Sequence, residues 1–239
     1  MPKRFGVLGG TFSPIHIGHL RAAEEAIEAL ELDSFLFLPA AVPPHKTAQP
    51  ILAFEHRWRL LNLAIAGNPR FRASDLEHHL SGKSYTVRSL IALHERFQGD
   101  GEIYFLLGLD SFLEIHTWWR YRELFRLAQL VIMRRPSYSD EDLERLLHER
   151  VSEHYRWEAA QSAFVHPTLL PVHYLKMTRI DVSSTQIRRL VAHGKSIRYL
   201  VPGEAISYIL DNRLYRVEEP SASASTIVGH AACPDRAEG

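Results

Sequence analysis

Two stretches of this chain carry residue types that could do chemistry together: Gly9-Gly10-Thr11-Phe12-Ser13-Pro14-Ile15-His16-Ile17-Gly18-His19, and Asp181-Val182-Ser183-Ser184-Thr185-Gln186-Ile187-Arg188. His16 and His19 stand three apart, so on the first turn of a helix both imidazoles face one side and can donate to phosphate oxygens. Donors placed that way favour charge that develops on a pentavalent phosphorus and its leaving oxygen. Gly9 and Gly10 carry no Cβ and let a phosphate approach the backbone, while Gly18 lets the helix begin close to it. The plainer alternative is a tight turn with two surface histidines. A zinc site lacks a third ligand at metal spacing and a nearby cysteine. The run is neither a Walker A loop, which needs Gly-Lys-Ser/Thr, nor a Gly-x-Gly-x-x-Gly loop.

In the second stretch, Ser183, Ser184 and Thr185 open a helix and direct N–H and O–H donors to one point, with Arg188 one turn along. That pattern suits a second phosphate grip, and it equally suits an ordinary N-cap run.

Between them lie further candidates. Pro43-Pro44-His45-Lys46 is a stiff connection that ends in a point charge for a phosphate, or else a plain surface loop. Ser84-Tyr85-Thr86 opens a helix whose free N–H groups a hydroxyl would cap. Gly108-Leu109-Asp110 follows a buried strand and offers a carboxylate to ribose hydroxyls, unless Asp110 merely caps the next helix. Trp118 and Trp119 are by default packing residues, and Arg134 and Arg135 are either phosphate ligands or solvated charges.

The elements that must position these residues follow from the apolar pattern. Phe5 to Gly9 reads as a strand leading into a helix marked by Leu20, Ala23, Ile27 and Leu30. Ser34 to Leu38 reads as a second strand closed by Pro39. Trp58, Leu61 and Ile65 mark the inner face of the next helix, and Val87, Leu90, Ile91 and Phe97 a third. Ile103 to Leu107 and Leu130 to Met133 are further strands, and 140–151 is a surface helix with acids in its first turn. Short strands are expected around 162–165 and 172–175, then helices over 183–191 and 203–210.

Apolar strands without polar alternation, separated by helices, predict an α/β, Rossmann-like, doubly wound parallel sheet with helices on both faces. A small helical portion, about 183–216, completes a domain of residues 1–216, and 217–239 is expected to be a flexible tail, too poor in apolar residues to offset ordering. The segments that follow the strands then share the sheet edge where ligands bind in such folds.

Composition narrows the partners. Lys+Arg 28 against Asp+Glu 28 leaves no net charge to gather a long polyanion, so no nucleic-acid partner is expected. No stretch approaches a membrane span and none reads as a signal peptide, while the single cysteine, Cys233, suits a reducing cytoplasm. Oligomeric state stays open.

The first stretch spells His-Ile-Gly-His literally and resembles the signature of the HIGH-motif nucleotidyltransferases; its detailed form is similar to the bacterial nicotinate mononucleotide adenylyltransferases. The resemblance extends to Pro-Pro-His-Lys, Ser-Tyr-Thr, the Gly-x-Asp to Trp118 block and the Val-Ser-Ser-Thr-x-Ile-Arg motif, and it spans residues 5 to about 216. It implies transfer of the adenylyl group of ATP to nicotinate mononucleotide, with Mg²⁺ carried by the ATP phosphates and no protein metal ligands. It implies that His16 and His19 are catalytic. ATP would be bound by Gly9, Gly10, Thr11, Phe12, His16, Gly18, His19, Lys46, Gly108, Asp110, Ser183, Ser184, Thr185 and Arg188. The mononucleotide would fall to His45, Lys46, Tyr85, Thr86, Asp110, Trp118 and Arg134. Ser13 and Ala40 depart from the pattern, where many relatives have Asp and Asn. Rival readings are an adenylyltransferase for nicotinamide mononucleotide or pantetheine phosphate, a tRNA-charging enzyme suggested by Lys176-Met177-Thr178-Arg179, and a nonenzymatic nucleotide sensor.

Overall fold

The computed structural model describes residues 2–43, 51–133 and 139–216. His45, Lys46, Arg134, Arg135 and the expected tail 217–239 lie outside the described residues.

Eight strands form one sheet: β1 (Lys3–Gly10), β2 (Ser34–Pro39), β3 (Phe71–Ala73), β4 (Gly101–Gly108), β5 (Gln129–Met133), β6 (Arg156–Glu158), β7 (Ala163–Val165) and β8 (Val172–Leu175). Their order is β3-β2-β1-β4-β5-β8-β7-β6. From β3 to β8 every pairing is parallel. The expected doubly wound parallel sheet is present and carries an antiparallel extension at one edge, where β6–β7 and β7–β8 are antiparallel. There the chain returns by short connections instead of a crossover helix, and only short turns are needed to join antiparallel neighbours. β3 and β6 were not expected, since Phe-Arg-Ala and Arg-Trp-Glu are short and carry charges.

The helices are α1 (Ile17–Leu30), α2 (Phe54–Ile65), α3 (Leu76–His79), α4 (Thr86–Arg96), α5 (Leu109–Leu113), α6 (Tyr121–Leu127), α7 (Asp140–Arg150), α8 (Ser184–Ala192) and α9 (Gly203–Asp211). Period-two alternation on β4 divides the core. Ile103, Phe105 and Leu107 join Val7, Leu130 and Ile132 on one face, under Leu90 and Leu93 of α4 and Leu124 of α6. Tyr104 and Leu106 join Phe35, Phe37 and Val131 on the other, under Ala23 and Ile27 of α1 and Leu61 of α2. The sheet is thus covered on both sides, as parallel strands require. A third cluster packs Ile187 and Val191 of α8 and Ala205 and Ile209 of α9 against Leu60 of α2.

One detail of α2 differs from the sequence reading. Its buried stripe is Arg57, Leu60, Leu61 and Ile65, whereas Trp58 is half-buried. A charged residue has taken the inward position that the aromatic was expected to hold.

Strand order reverses between β1 and β4, since β2 and β3 build outward from one side of β1 and β4 and β5 from the other, and the loop after β1 leaves the sheet there. In open α/β sheets this switch point at the carboxyl ends of the strands is where ligands lodge.

Candidate active site

The loop from Thr11 to His16 runs from β1 into α1 and is held from several directions. Phe12 is buried with φ 47°, a left-handed backbone that is uncommon for a bulky residue and costs of order 1–3 kcal/mol. Its ring meets Phe37 at 6.0 Å and stands edge-on to His19 at 5.2 Å. A Cβ on Gly10 would come within 3.2 Å of the Phe12 ring, so glycine there makes room for the aromatic.

His16 caps α1 and is buried, and its imidazole stacks on that of His19 with centroids 3.7 Å apart. The backbone N–H of His16 donates to His19 Nδ1 at 3.3 Å. That bond makes Nδ1 the acceptor and leaves the proton on Nε2, where it can be donated outward. Burial pushes the His16 imidazole down to about 4. Burial, together with the adjacent His16, pushes His19 down to about 3. Both rings are therefore neutral near pH 7 and act as N–H donors without a charge of their own.

The second stretch closes on the first. Ser184 Oγ donates to the Pro14 carbonyl at 2.8 Å, and Arg188 Nη1 donates to the Ser13 carbonyl at 2.8 Å. A Cβ on Gly18 would lie 3.1 Å from both His16 Nδ1 and Val182 Cγ1, so glycine lets α1 begin against the 176–183 segment as well as beside the loop. The Ile17 N–H reaches the Leu200 carbonyl at 3.0 Å. Ser183 Oγ accepts from the Gln186 N–H as the α8 cap, and Thr185 Oγ1 accepts from Arg188 Nη2 at 3.1 Å. The three hydroxyls thus have distinct jobs instead of converging as a set. The N-terminus of α8 and the imidazole pair nevertheless flank one loop, and the positive end of a helix dipole favours an anion there.

On the β2 and β4 side, Tyr85 caps α4 and Thr86 is its first residue. Ser84 was expected to serve that helix. Instead its N–H donates to the Val42 carbonyl at 2.9 Å and its Oγ accepts from the Val42 N–H at 3.0 Å. Asp110 is exposed on the first turn of α5, two residues after Gly108. Trp118 is partly buried against the core, while Trp119, 45% exposed, lies 5.0 Å from the Tyr85 ring, with the Arg120 guanidinium 5.0 Å over the Trp119 ring.

Sequence reasoning missed three residues that fasten this region. Arg57, 2% exposed, donates to the Thr11 and Leu52 carbonyls at 2.9 Å each. Glu77, 6% exposed, accepts from Ser89 Oγ at 2.6 Å. Tyr215 OH meets Ser13 Oγ at 3.3 Å, and burial pushes its phenol up to about 12. The one signal available was that Arg57 interrupts the apolar stripe of Leu60, Leu61 and Ile65 at helical spacing.

The fold and this arrangement define a nucleotidyltransferase core, and the cytidylyltransferase-like family model matches residues 7–190. The chain is 46% identical over 213 residues to a protein of Trichlorobacter lovleyi described as a probable nicotinate-nucleotide adenylyltransferase, covering 89% of this chain and 99% of that one. It is 41% identical over 212 residues to a protein of the same description from Geotalea daltonii, covering 89% and 98%. The chain belongs to the nicotinate-nucleotide adenylyltransferase family. Among solved structures, the Plasmodium falciparum nicotinic acid mononucleotide adenylyltransferase complexed with NaAD has the same fold, with TM-score 0.68 at 18% identity over 89% of this chain and 97% of that one.

Proposed function

We propose that this protein transfers the adenylyl group of ATP to nicotinate mononucleotide, forming nicotinate adenine dinucleotide and pyrophosphate on the way to NAD. A phosphate oxygen of the mononucleotide attacks the α-phosphorus of ATP in line, a new P–O bond forms, and the bond to the β-phosphate oxygen breaks as pyrophosphate leaves. The attacking phosphate is already anionic at neutral pH, so no protein nucleophile is required, and positioning with charge stabilisation supplies most of the acceleration. His16 and His19 donate from neutral imidazoles to oxygens whose charge grows in the transition state. The N-terminus of α8, opened by Ser183, Ser184 and Thr185, holds the triphosphate through its backbone N–H groups together with Arg188 and Lys46, Gly9, Gly10, Thr11, Phe12 and Gly18 shape the loop against it, and Gly108 and Asp110 meet ribose. His45, Tyr85, Thr86 and Arg134 receive the mononucleotide, with the exposed ring of Trp119 beside Tyr85 taking the place expected of Trp118, which packs against the core.

Among the described residues no group of three His, Cys, Asp or Glu side chains is placed to hold a metal ion. The donors near the imidazole pair are nitrogen and hydroxyl groups suited to anions, so the divalent cation is read as Mg²⁺ bound to the nucleotide's phosphates, where it neutralises charge. No helix among the described residues is long and apolar enough to cross a membrane. A cytoplasmic enzyme with its catalytic domain in 1–216 is part of the same reading.

The observation that carries the proposal is the tie between the two distant stretches, Ser184 to Pro14 and Arg188 to Ser13, which sets the N-terminus of α8 beside the stacked imidazoles. Pyrophosphate release is to be measured with ATP and, in turn, nicotinate mononucleotide, nicotinamide mononucleotide and pantetheine phosphate. The acid mononucleotide should be the fastest acceptor. Faster turnover of another acceptor, or ATP binding with no release on any of them, would sink the proposal.

A further inference from the structure

Arg57 and Glu77 are buried side chains of opposite charge that do not form a direct ion pair. A guanidinium 2% exposed and a carboxyl 6% exposed are costly to bury, and such groups persist where their hydrogen bonds hold something in place. Arg57 bonds two backbone carbonyls on different segments, Thr11 after β1 and Leu52 before α2, each at 2.9 Å. Glu77 Oε1 accepts from Ser89 of α4 at 2.6 Å, and its Oε2 is buried with no hydrogen-bond partner. Burial raises the Glu77 carboxyl above the ordinary range, against interactions with Ser84, Ser89, the Ala41 backbone and Arg57 that lower it. Ser89 Oγ also reaches the Tyr85 carbonyl at 3.4 Å, so Glu77 holds the first turn of α4, which begins beside the place where Ser84 and Val42 exchange two hydrogen bonds.

We propose that Arg57 and Glu77 are positioning residues for separate halves of the reaction: Arg57 fixes the loop that leads to His16 and His19, and Glu77, through Ser89, fixes the start of α4, where Tyr85 and Thr86 follow the Val42–Ser84 clasp. Neither touches the reacting atoms. The division follows from the partners. Thr11 O belongs to the loop of the imidazole pair, while Ser84 and Ser89 belong to the start of α4. The inference rests on the functional reading above, because it assigns the two ends to nucleotide and acceptor.

Full-length variants separate this from a general structural role by which kinetic constant moves. Glu77→Ala should raise KM for nicotinate mononucleotide about tenfold and leave KM for ATP within about twofold, since a small misplacement of a binding group costs that much or more. Glu77→Gln keeps an oxygen for Ser89 Oγ and should recover most of the loss. Arg57→Lys keeps the charge but not the two-pronged reach, and should lower kcat about tenfold with KM for the mononucleotide unchanged. If Glu77→Ala does not fold, Ser84→Ala, which removes the oxygen that Val42 donates to, should show the same split. Both KM values moving together in step with the melting temperature, or neither moving, overturns the proposal. A wild-type protein that releases no pyrophosphate would instead refute the functional reading. Amide exchange then decides the brace: faster exchange at Val42 and Ser84 in Glu77→Ala, and at Ile17 in Arg57→Lys, supports it, and uniform exchange overturns it.

Discussion

The two groups of candidate site residues are built differently. The side that carries His16 and His19 is buried and tied by hydrogen bonds to residues far along the chain: Arg57, Ser184, Arg188, Leu200 and Tyr215 all reach the segment from Thr11 to Ile17. The side that carries Tyr85, Asp110 and Trp119 is more open, with aromatic faces and a carboxylate presented to solvent. Rigid, desolvated donors suit stabilisation of charge that appears only in the transition state, because they cost little reorganisation when the reaction occurs. An open aromatic shelf suits recognition of a flat acceptor, where ground-state binding is what varies. The contrast teaches that the chemistry and the choice of substrate need not depend on the same residues, and it can be attacked from either side.

The largest expected effect is on the rigid side. Removing the His19 imidazole takes away one preorganised donor, so His19→Ala should lose about 3 kcal/mol or more of transition-state stabilisation, seen in kcat with little change in either KM. Turnover close to wild type, measured by pyrophosphate release, would remove His19 from the chemistry.

Next comes the tie between the two stretches. Arg188→Ala deletes a charge-assisted bond to the Ser13 carbonyl and a bond to Thr185 Oγ1, and should cost about 2 kcal/mol in kcat/KM for ATP. KM for the mononucleotide should hold. An equal loss for both substrates would mean that the two sides are one unit and the contrast is false.

These two residues were also the most legible in the sequence, and the reason is physical. The signal in Gly-Gly-Thr to His-Ile-Gly-His and in Ser-Ser-Thr-Gln-Ile-Arg is local, since a strand end, a loop and a helix start suffice to imply a phosphate site. Arg57 and Glu77 carry no such signal, because a buried charge is intelligible only through tertiary partners that sequence spacing does not reveal. β4 was legible because it is apolar on both faces, whereas β3 and β6, three residues each at the sheet's two edges, bury too little to show a pattern. The Trp118-Trp119 pair shows a further limit. Adjacent indoles cannot both face the core, and only the structure shows that Trp118 packs inward and Trp119 stands beside Tyr85.

That distinction gives the third test. Trp119→Ala removes an exposed ring with few core contacts, so it should raise KM for nicotinate mononucleotide by the worth of one aromatic contact, about 1 kcal/mol, and leave kcat and melting temperature near wild type. Trp118→Ala should instead lower the melting temperature, as loss of core packing does. A reversed pattern would move the acceptor shelf from one indole to the other.

The gentlest test near neutrality is pH. His16, His19 and the buried His173 all have folded values below the ordinary 6.5, at about 4, 3 and 4, chiefly because burial disfavours their charged forms. The unfolded chain then binds more protons than the folded one between those values and 6.5, so stability rises with pH across that window. It is fully present above about 6.5 and is lost as pH falls toward 4. Melting temperatures should therefore be flat from pH 7 to 8 as far as these groups are concerned, and fall progressively below pH 6.5. In His16→Gln the acid fall should be shallower. Catalysis gives the complementary sign: neutral imidazoles keep one ring N–H each as pH rises, so turnover should not decline between pH 6 and 8. A rate that drops through 6.5 with rising pH would mean that an imidazolium does the work, and the rigid imidazole pair would then act by charge instead of by placed neutral donors.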